Sequence, residues 1–181
     1  MAGSIDFFPG FPLPVSDYVP LLRELGDLAA PFRVAHSQGS LRALAEEGDL
    51  PTALLAPSTP GRHARRLLLR TVVRVAARTP GGDALAVRLR QATYRRYGAV
   101  PLPGEPLSLA DAAERLLPMP EAPLPALSRV IVVCSRQDPR HAAQVDLARE
   151  LGAPVHWLEG GHLFPIVQPG PTARLILAAL G

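Results

Sequence analysis

Three residues far apart in the chain have the side-chain types that nucleophilic catalysis needs: Ser37, Asp138 and His162. A serine hydroxyl attacks a carbonyl only when a base takes its proton, and a neighbouring imidazole can do so. A carboxylate on the far side of that imidazole holds it in the tautomer that accepts. Ser37 stands in Ala35-His36-Ser37-Gln38-Gly39, with small residues two positions to either side. This A-x-S-x-G spacing suits a nucleophile elbow, where a tight strand-to-helix turn strains the serine and crowds its neighbours. The helix that follows directs its positive end at the place where an oxyanion would form.

Each residue also has an ordinary reading. Ser37 has the position of a helix N-cap. Asp138 precedes Pro139, the combination of a cap and a first helical residue. His162 follows Gly160-Gly161, which puts it in a flexible loop, with Leu163 and Phe164 beside it to shield an imidazole. The other histidines, His36, His63, His141 and His156, read as solvated or as packing. What joins the three is their order, Ser then Asp then His, each just beyond a predicted strand.

Those strands come from an alternating pattern. Ser4 to Phe8 reads as a strand, and Ser16 as the cap of a helix to about Ala29. Phe32 to His36 is the second strand, Gln38 to Glu47 the next helix, and Thr52 to Ala56 the third strand. Arg129 to Ser135 is a continuous β-branched run of the kind buried on both faces. A helix over Pro139 to Leu151, a strand over Val155 to Leu158 and a helix over Pro171 to Leu180 complete the series. Alternation of this kind predicts a mostly parallel α/β sheet, whose ligand site lies at the carboxyl ends of the strands.

The middle of the chain breaks the pattern. Residues 62–79 and 84–97 read as basic amphipathic helices, and Ser108-Leu109-Ala110-Asp111 as a capping box opening a helix to about Leu117. Ten of the nineteen arginines fall between Arg62 and Arg96, where Asp83 is the only carboxylate. The chain has no lysine at all, so part of this richness is compositional. An apolar stripe of Leu67, Leu68, Leu69, Val72 and Val73 is expected either to line a pocket or to pack on the sheet.

At 181 residues the chain is long enough for one domain, 1–181, with a substantial core. No apolar run has the length of a membrane span, and MAGSIDFFPGF lacks the basic start of a secretory signal, so a cytoplasmic protein is expected. The single cysteine, Cys134, reads as a small buried hydrophobe. No metal-ligand cluster or phosphate-cradling glycine loop is present in the sequence, so no cofactor is implied.

With these residues in place, the chain resembles α/β-hydrolase-fold serine hydrolases over nearly its whole length. The resemblance rests on Ala35-His36-Ser37-Gln38-Gly39, on Asp138 after Val130-Ile131-Val132-Val133, and on Gly160-Gly161-His162-Leu163-Phe164-Pro165. It implies a catalytic set of Ser37, Asp138 and His162 and an acyl-enzyme route on carboxylic esters or thioesters. It also gives meaning to Phe8-Pro9-Gly10-Phe11, similar to the loop that supplies half of an oxyanion hole, with backbone N–H groups of Phe11 and Gln38 as donors. Residues 57–128 would be the helical lid. The chain departs from the pattern in three places: Ala35 for the first glycine, Pro9 where histidine is common, and a shortened sheet, expected to have about five strands. A trimmed sheet edge leaves room for a second copy, so a homodimer is a further expectation.

The alternative from another class is a non-catalytic binding protein that turns its arginine-rich lid to an anionic partner. The lid helices hold only two aromatics, Tyr94 and Tyr97, so nucleic acid is not expected as that partner.

Overall fold

A computed structural model describes residues 4–26, 31–46, 48–59, 63–105, 107–116, 127 and 129–180, with the side chains of 63–67 and 115 outside that description. Five parallel strands form one sheet: β1 (Ile5–Phe8), β2 (Phe32–His36), β3 (Thr52–Leu55), β4 (Val130–Cys134) and β5 (Val155–Trp157). They lie side by side in chain order. The register brings Phe8 opposite Ala35, His36 opposite Leu55, Leu55 opposite Val133 and Cys134 opposite Trp157, so the carboxyl ends are nearly level. Five strands is the number expected from the sequence.

Parallel strands alternate their side chains between two faces, and both faces are covered here. Phe32, Val34, Ala53, Leu55, Ile131 and Val133 pack against α1 (Val19–Leu25) and α8 (Pro169–Leu180) through Leu21, Leu25, Ala173 and Ile176. On the opposite face, Ala35, Leu54, Val132 and Cys134 meet Ala43 of α2 (Gly39–Ala43) and Ala148 of α6 (His141–Glu150). All five residues of β4 are buried. Each buried valine or isoleucine contributes roughly 1.5–3 kcal/mol, which makes β4 the firmest strand at the site. Cys134 lies in this core, and burial, helped by the Asp138 charge, pushes its thiol up to about 12, so it stays protonated.

Between β3 and β4 the chain forms α3 (His63–Ala76), α4 (Gly82–Arg96) and α5 (Leu109–Arg115). Among the described residues this stretch contains no strand. Ser108 caps α5 as its sequence requires: its Oγ accepts from Asp111 N–H at 3.1 Å and donates to the Asp111 carboxylate at 2.7 Å. Val73, Ala112, Ala113 and Leu116 form the seam between α3 and α5. The buried Arg90 of α4 pairs bidentately with the carboxylate of Asp17, which is itself buried, and so ties this unit to the segment before α1.

Several sequence expectations change here. Ser16 makes no cap: the chain enters α1 through a 3-10 turn over Val15–Tyr18, and α1 ends at Leu25, with Ala29 outside the described residues. The third strand stops at Leu55 because Ala56 turns to φ 42°. The helix after Pro139 begins only at His141 and the last helix already at Pro169. His162 is not in a flexible loop, since a turn over Gly161–Leu163 leads straight into α7 (Phe164–Val167). Of the expected apolar stripe on α3, Val73 is buried, whereas Leu68 (66%), Leu69 (41%) and Val72 (54%) face outward; the Leu67 side chain lies outside the described part.

Candidate active site

The site forms at the carboxyl ends of β2, β4 and β5. Ser37 follows β2 directly and has φ 51°, a left-handed conformation that costs a serine roughly 1–3 kcal/mol. The surrounding backbone enforces it. Ser37 N–H donates to Leu55 C=O at 3.0 Å, and Ser37 C=O accepts from Ser58 N–H at 3.0 Å and Ser40 N–H at 3.1 Å. Two residues on, Gly39 packs so closely under β1 that a Cβ there would stand 2.1 Å from Phe8 O. This is the physical reason for the glycine in A-x-S-x-G.

Ser37, Asp138 and His162 are brought together. Ser37 Oγ lies 3.0 Å from His162 Nε2, and His162 Nδ1 lies 2.7 Å from Asp138 Oδ2. The ionised carboxylate only accepts, so Nδ1 carries the proton and Nε2 is free to accept from the serine. Asp138 is not the N-cap that its sequence suggests, since α6 begins only at His141 with Arg140 as its cap residue; instead Oδ1 accepts from Arg140 N–H at 3.0 Å in the turn before α6, while Oδ2 holds the histidine. Gln144 Nε2 donates to the same Oδ2 at 2.7 Å.

The titration states match this arrangement. Burial pushes the Asp138 carboxyl up, but the hydrogen bond and charge of His162, with help from Arg140, hold it well below the usual carboxylate range. Burial is also the largest influence on His162. It pulls the imidazole below its ordinary 6.5, Arg140 and Arg96 add to the pull, and the Asp138 bond opposes it. The histidine is therefore neutral at pH 7.

The two glycines before His162 both hold positive φ, 98° at Gly160 and 65° at Gly161, and so swing the chain back over the end of β4. There, Ser135 Oγ accepts from Gly161 N–H at 3.2 Å and Gln137 Oε1 from Gly160 N–H at 3.1 Å. A buried relay supports the other side of the histidine. His36 Nε2 donates to His162 C=O at 2.9 Å, Tyr18 O–H donates to His36 Nδ1 at 2.6 Å, and Gly10 N–H donates to Tyr18 Oη at 3.1 Å. The sequence reads His36 only as solvated or as packing, and its place in this relay is missed. Only its position, one residue before Ser37 in a buried strand, was there to suggest otherwise.

The Phe8-Pro9-Gly10-Phe11 turn lies beside the elbow, with Gly10 in reach of Ser37 Cβ. Among the described residues, no hydrogen-bond acceptor takes up the N–H of Phe11 or of Gln38. No group of metal-ligating side chains occurs among the described residues.

No protein-family model matches the chain, and no curated protein matches it. Solved structures do. A malate-bound thermophilic esterase from Thermogutta terrifontis is 18% identical over 98% of this chain and 90% of its own, with a TM-score of 0.69. The thioesterase domain of the curacin biosynthetic pathway is 14% identical over 97% and 91%, at 0.60. A haloalkane dehalogenase from Bradyrhizobium elkani is 14% identical over 98% and 91%, at 0.54. The chain has the α/β-hydrolase fold. That fold carries unrelated chemistries, as these three neighbours illustrate, so the reaction has to be argued from the site.

Proposed function

We propose that this chain is a serine hydrolase cleaving carboxylic ester or thioester bonds through an acyl-enzyme intermediate. One observation carries the reading: a serine at positive φ, 3.0 Å from a neutral imidazole whose other nitrogen is 2.7 Å from a buried carboxylate. In this reading Ser37 Oγ attacks the carbonyl carbon and its proton passes to His162 Nε2. Asp138 stabilises the imidazolium so formed without taking its proton. The N–H groups of Phe11 and Gln38 receive the developing oxyanion. The imidazolium then protonates the leaving alcohol or thiol, and water, deprotonated by the same histidine, releases the acid and frees Ser37. A serine here argues against the dehalogenase branch, which needs a carboxylate nucleophile. Helices α3 to α5, within residues 57–128, act as the lid.

The competing reading, an arginine face for an anionic partner, is weakened by three engaged arginines. Arg70 and Arg74 pair with Glu114, and Arg90 is consumed by Asp17. Among the described residues no single helix is long and apolar enough to cross a membrane.

Intact-mass labelling with a fluorophosphonate tests the proposal. Wild type should gain one adduct, and Ser37→Ala and His162→Ala none. An unlabelled wild type, or an adduct that survives Ser37→Ala, rejects it. The pH profile gives a second check. His162 must be neutral to act, and its folded value is depressed, so activity should hold as pH falls to 6.5 and vanish only as pH passes through that lower value. An acid limb of kcat/KM centred above 6.5 would contradict the assigned base.

A further inference from the structure

Asp138 and Ser37 occupy the two in-plane directions of the His162 ring nitrogens. A third group remains. One terminal nitrogen of Arg140 is 2.6 Å from Nδ1 and 2.5 Å from Nε2. The Arg140 side chain is 42% exposed, and its nearest carboxylate is Asp138, 3.5 Å from Nε. That carboxylate already serves His162, Gln144 and the Arg140 backbone.

A second cation stands close by. Arg96 lies over the Tyr97 ring, 5.8 Å from its centre, and that ring is 4.7 Å from the His162 ring. Arg96 and Tyr97 line a cavity of about 440 Å³ together with Gln137, Pro139, Gly160 and Gly161, a lining that stops one residue short of Arg140 and of His162. Among the described residues no carboxylate lies within ion-pairing distance of Arg96. The nearby Glu159 is exposed, bonded to the Gln137 amide at 2.7 Å, and is not part of the lining.

A cation beside a general base opposes the very step the base performs, because that step makes an imidazolium. The cost falls on neutral substrates. It disappears for a substrate whose own negative group draws the arginine's charge to itself, so the remote group's binding energy is expressed in the transition state.

We infer that Arg140 and Arg96 form an anion subsite beside Ser37 and His162, and that the substrate is an ester or thioester carrying a carboxylate or phosphate group. This rests on the serine-hydrolase reading above. In it Arg140 is a positioning and specificity residue, acting through His162 and the substrate's charge.

The test compares 4-nitrophenyl hexanoate with the mono-4-nitrophenyl ester of adipic acid and with 4-nitrophenyl 6-(phosphonooxy)hexanoate. The enzymes are wild type, Arg140→Gln, Arg140→Lys and Arg96→Gln. Wild type should prefer an anionic ester by about tenfold in kcat/KM, a preference that shrinks with added salt; which of the two it prefers separates carboxylate from phosphate. Arg140→Gln should lose the preference, raise kcat on the hexanoate and move the acid limb to higher pH, and Arg140→Lys should recover part of the preference. Arg96→Gln should act on KM for the anionic esters alone. Equal rates on all three esters by wild type, or an equal loss on all three in Arg140→Gln, overturns the inference. If wild type forms the fluorophosphonate adduct yet shows no preference, this inference fails alone. If it forms no adduct and cleaves no ester, the hydrolase reading fails and takes this one with it.

Discussion

The carboxyl ends of the strands and the helices between β3 and β4 use polar groups in opposite ways. At the strand ends each bond has a fixed direction. Gly10 N–H donates to Tyr18, Tyr18 to His36, His36 to the His162 carbonyl, and the His162 ring to Asp138. Such a network permits one tautomer of each imidazole and one position of each ring. In the inserted helices the side-chain contacts that join one element to another are chiefly ion pairs, Arg90 with Asp17 and Glu114 with Arg70 and Arg74. Those fasten elements together but orient nothing toward a reacting atom. Positional precision is concentrated at the strand ends, and substitutions in the two regions test that contrast.

Asp138→Asn should produce the largest effect. The amide can turn an N–H toward His162 Nδ1, which shifts the ring proton to Nε2 and leaves Ser37 without an acceptor. Ester hydrolysis should fall by about 10⁴-fold while the folded signal persists. A loss under tenfold would mean that the carboxylate is only a turn cap.

Gly39→Ala comes next, on stability. Its Cβ would meet Phe8 O at 2.1 Å, a backbone contact that no side-chain movement relieves. A loss of more than about 3 kcal/mol in denaturant unfolding is expected, with hydrolysis lost alongside. Wild-type stability would show that β1 can move away freely.

The smallest effect belongs to the other region. Val72→Ser on the outer face of α3 should change stability by less than about 0.5 kcal/mol and leave kcat/KM unaltered. A large drop in either would mean that this face is covered in solution.

Much of the sheet half is legible in the sequence alone. Phe32–His36 is bounded to the residue, the buried run at Val130 marks β4, and strand-following positions lead to Ser37, Asp138 and His162. These signals are local, either a period of two or a turn chemistry. Ser108 was readable for the same reason, since its partner Asp111 is one helical turn away. What escaped was non-local. Nothing in a periodic pattern joins Tyr18 to His36, or His36 to the carbonyl of His162, 126 residues on. Nothing in the sequence singles out Arg140. Amphipathicity misled on α3, because its stripe was expected to face inward, whereas among its described side chains only Val73 does. Ser16 had the composition of a cap, but Pro14 and a 3-10 turn set the entry geometry instead.

The contact between Gly39 and Phe8 has a consequence for how this sequence can change over time. Any side chain at 39 would displace the end of β1, and the Pro9-Gly10-Phe11 turn continues from that end. The turn beside the serine and the turn that offers the Phe11 N–H are therefore a single heritable unit, although 25 residues or more of chain separate them. A lineage must keep, or replace together, the two ends that meet at Gly39.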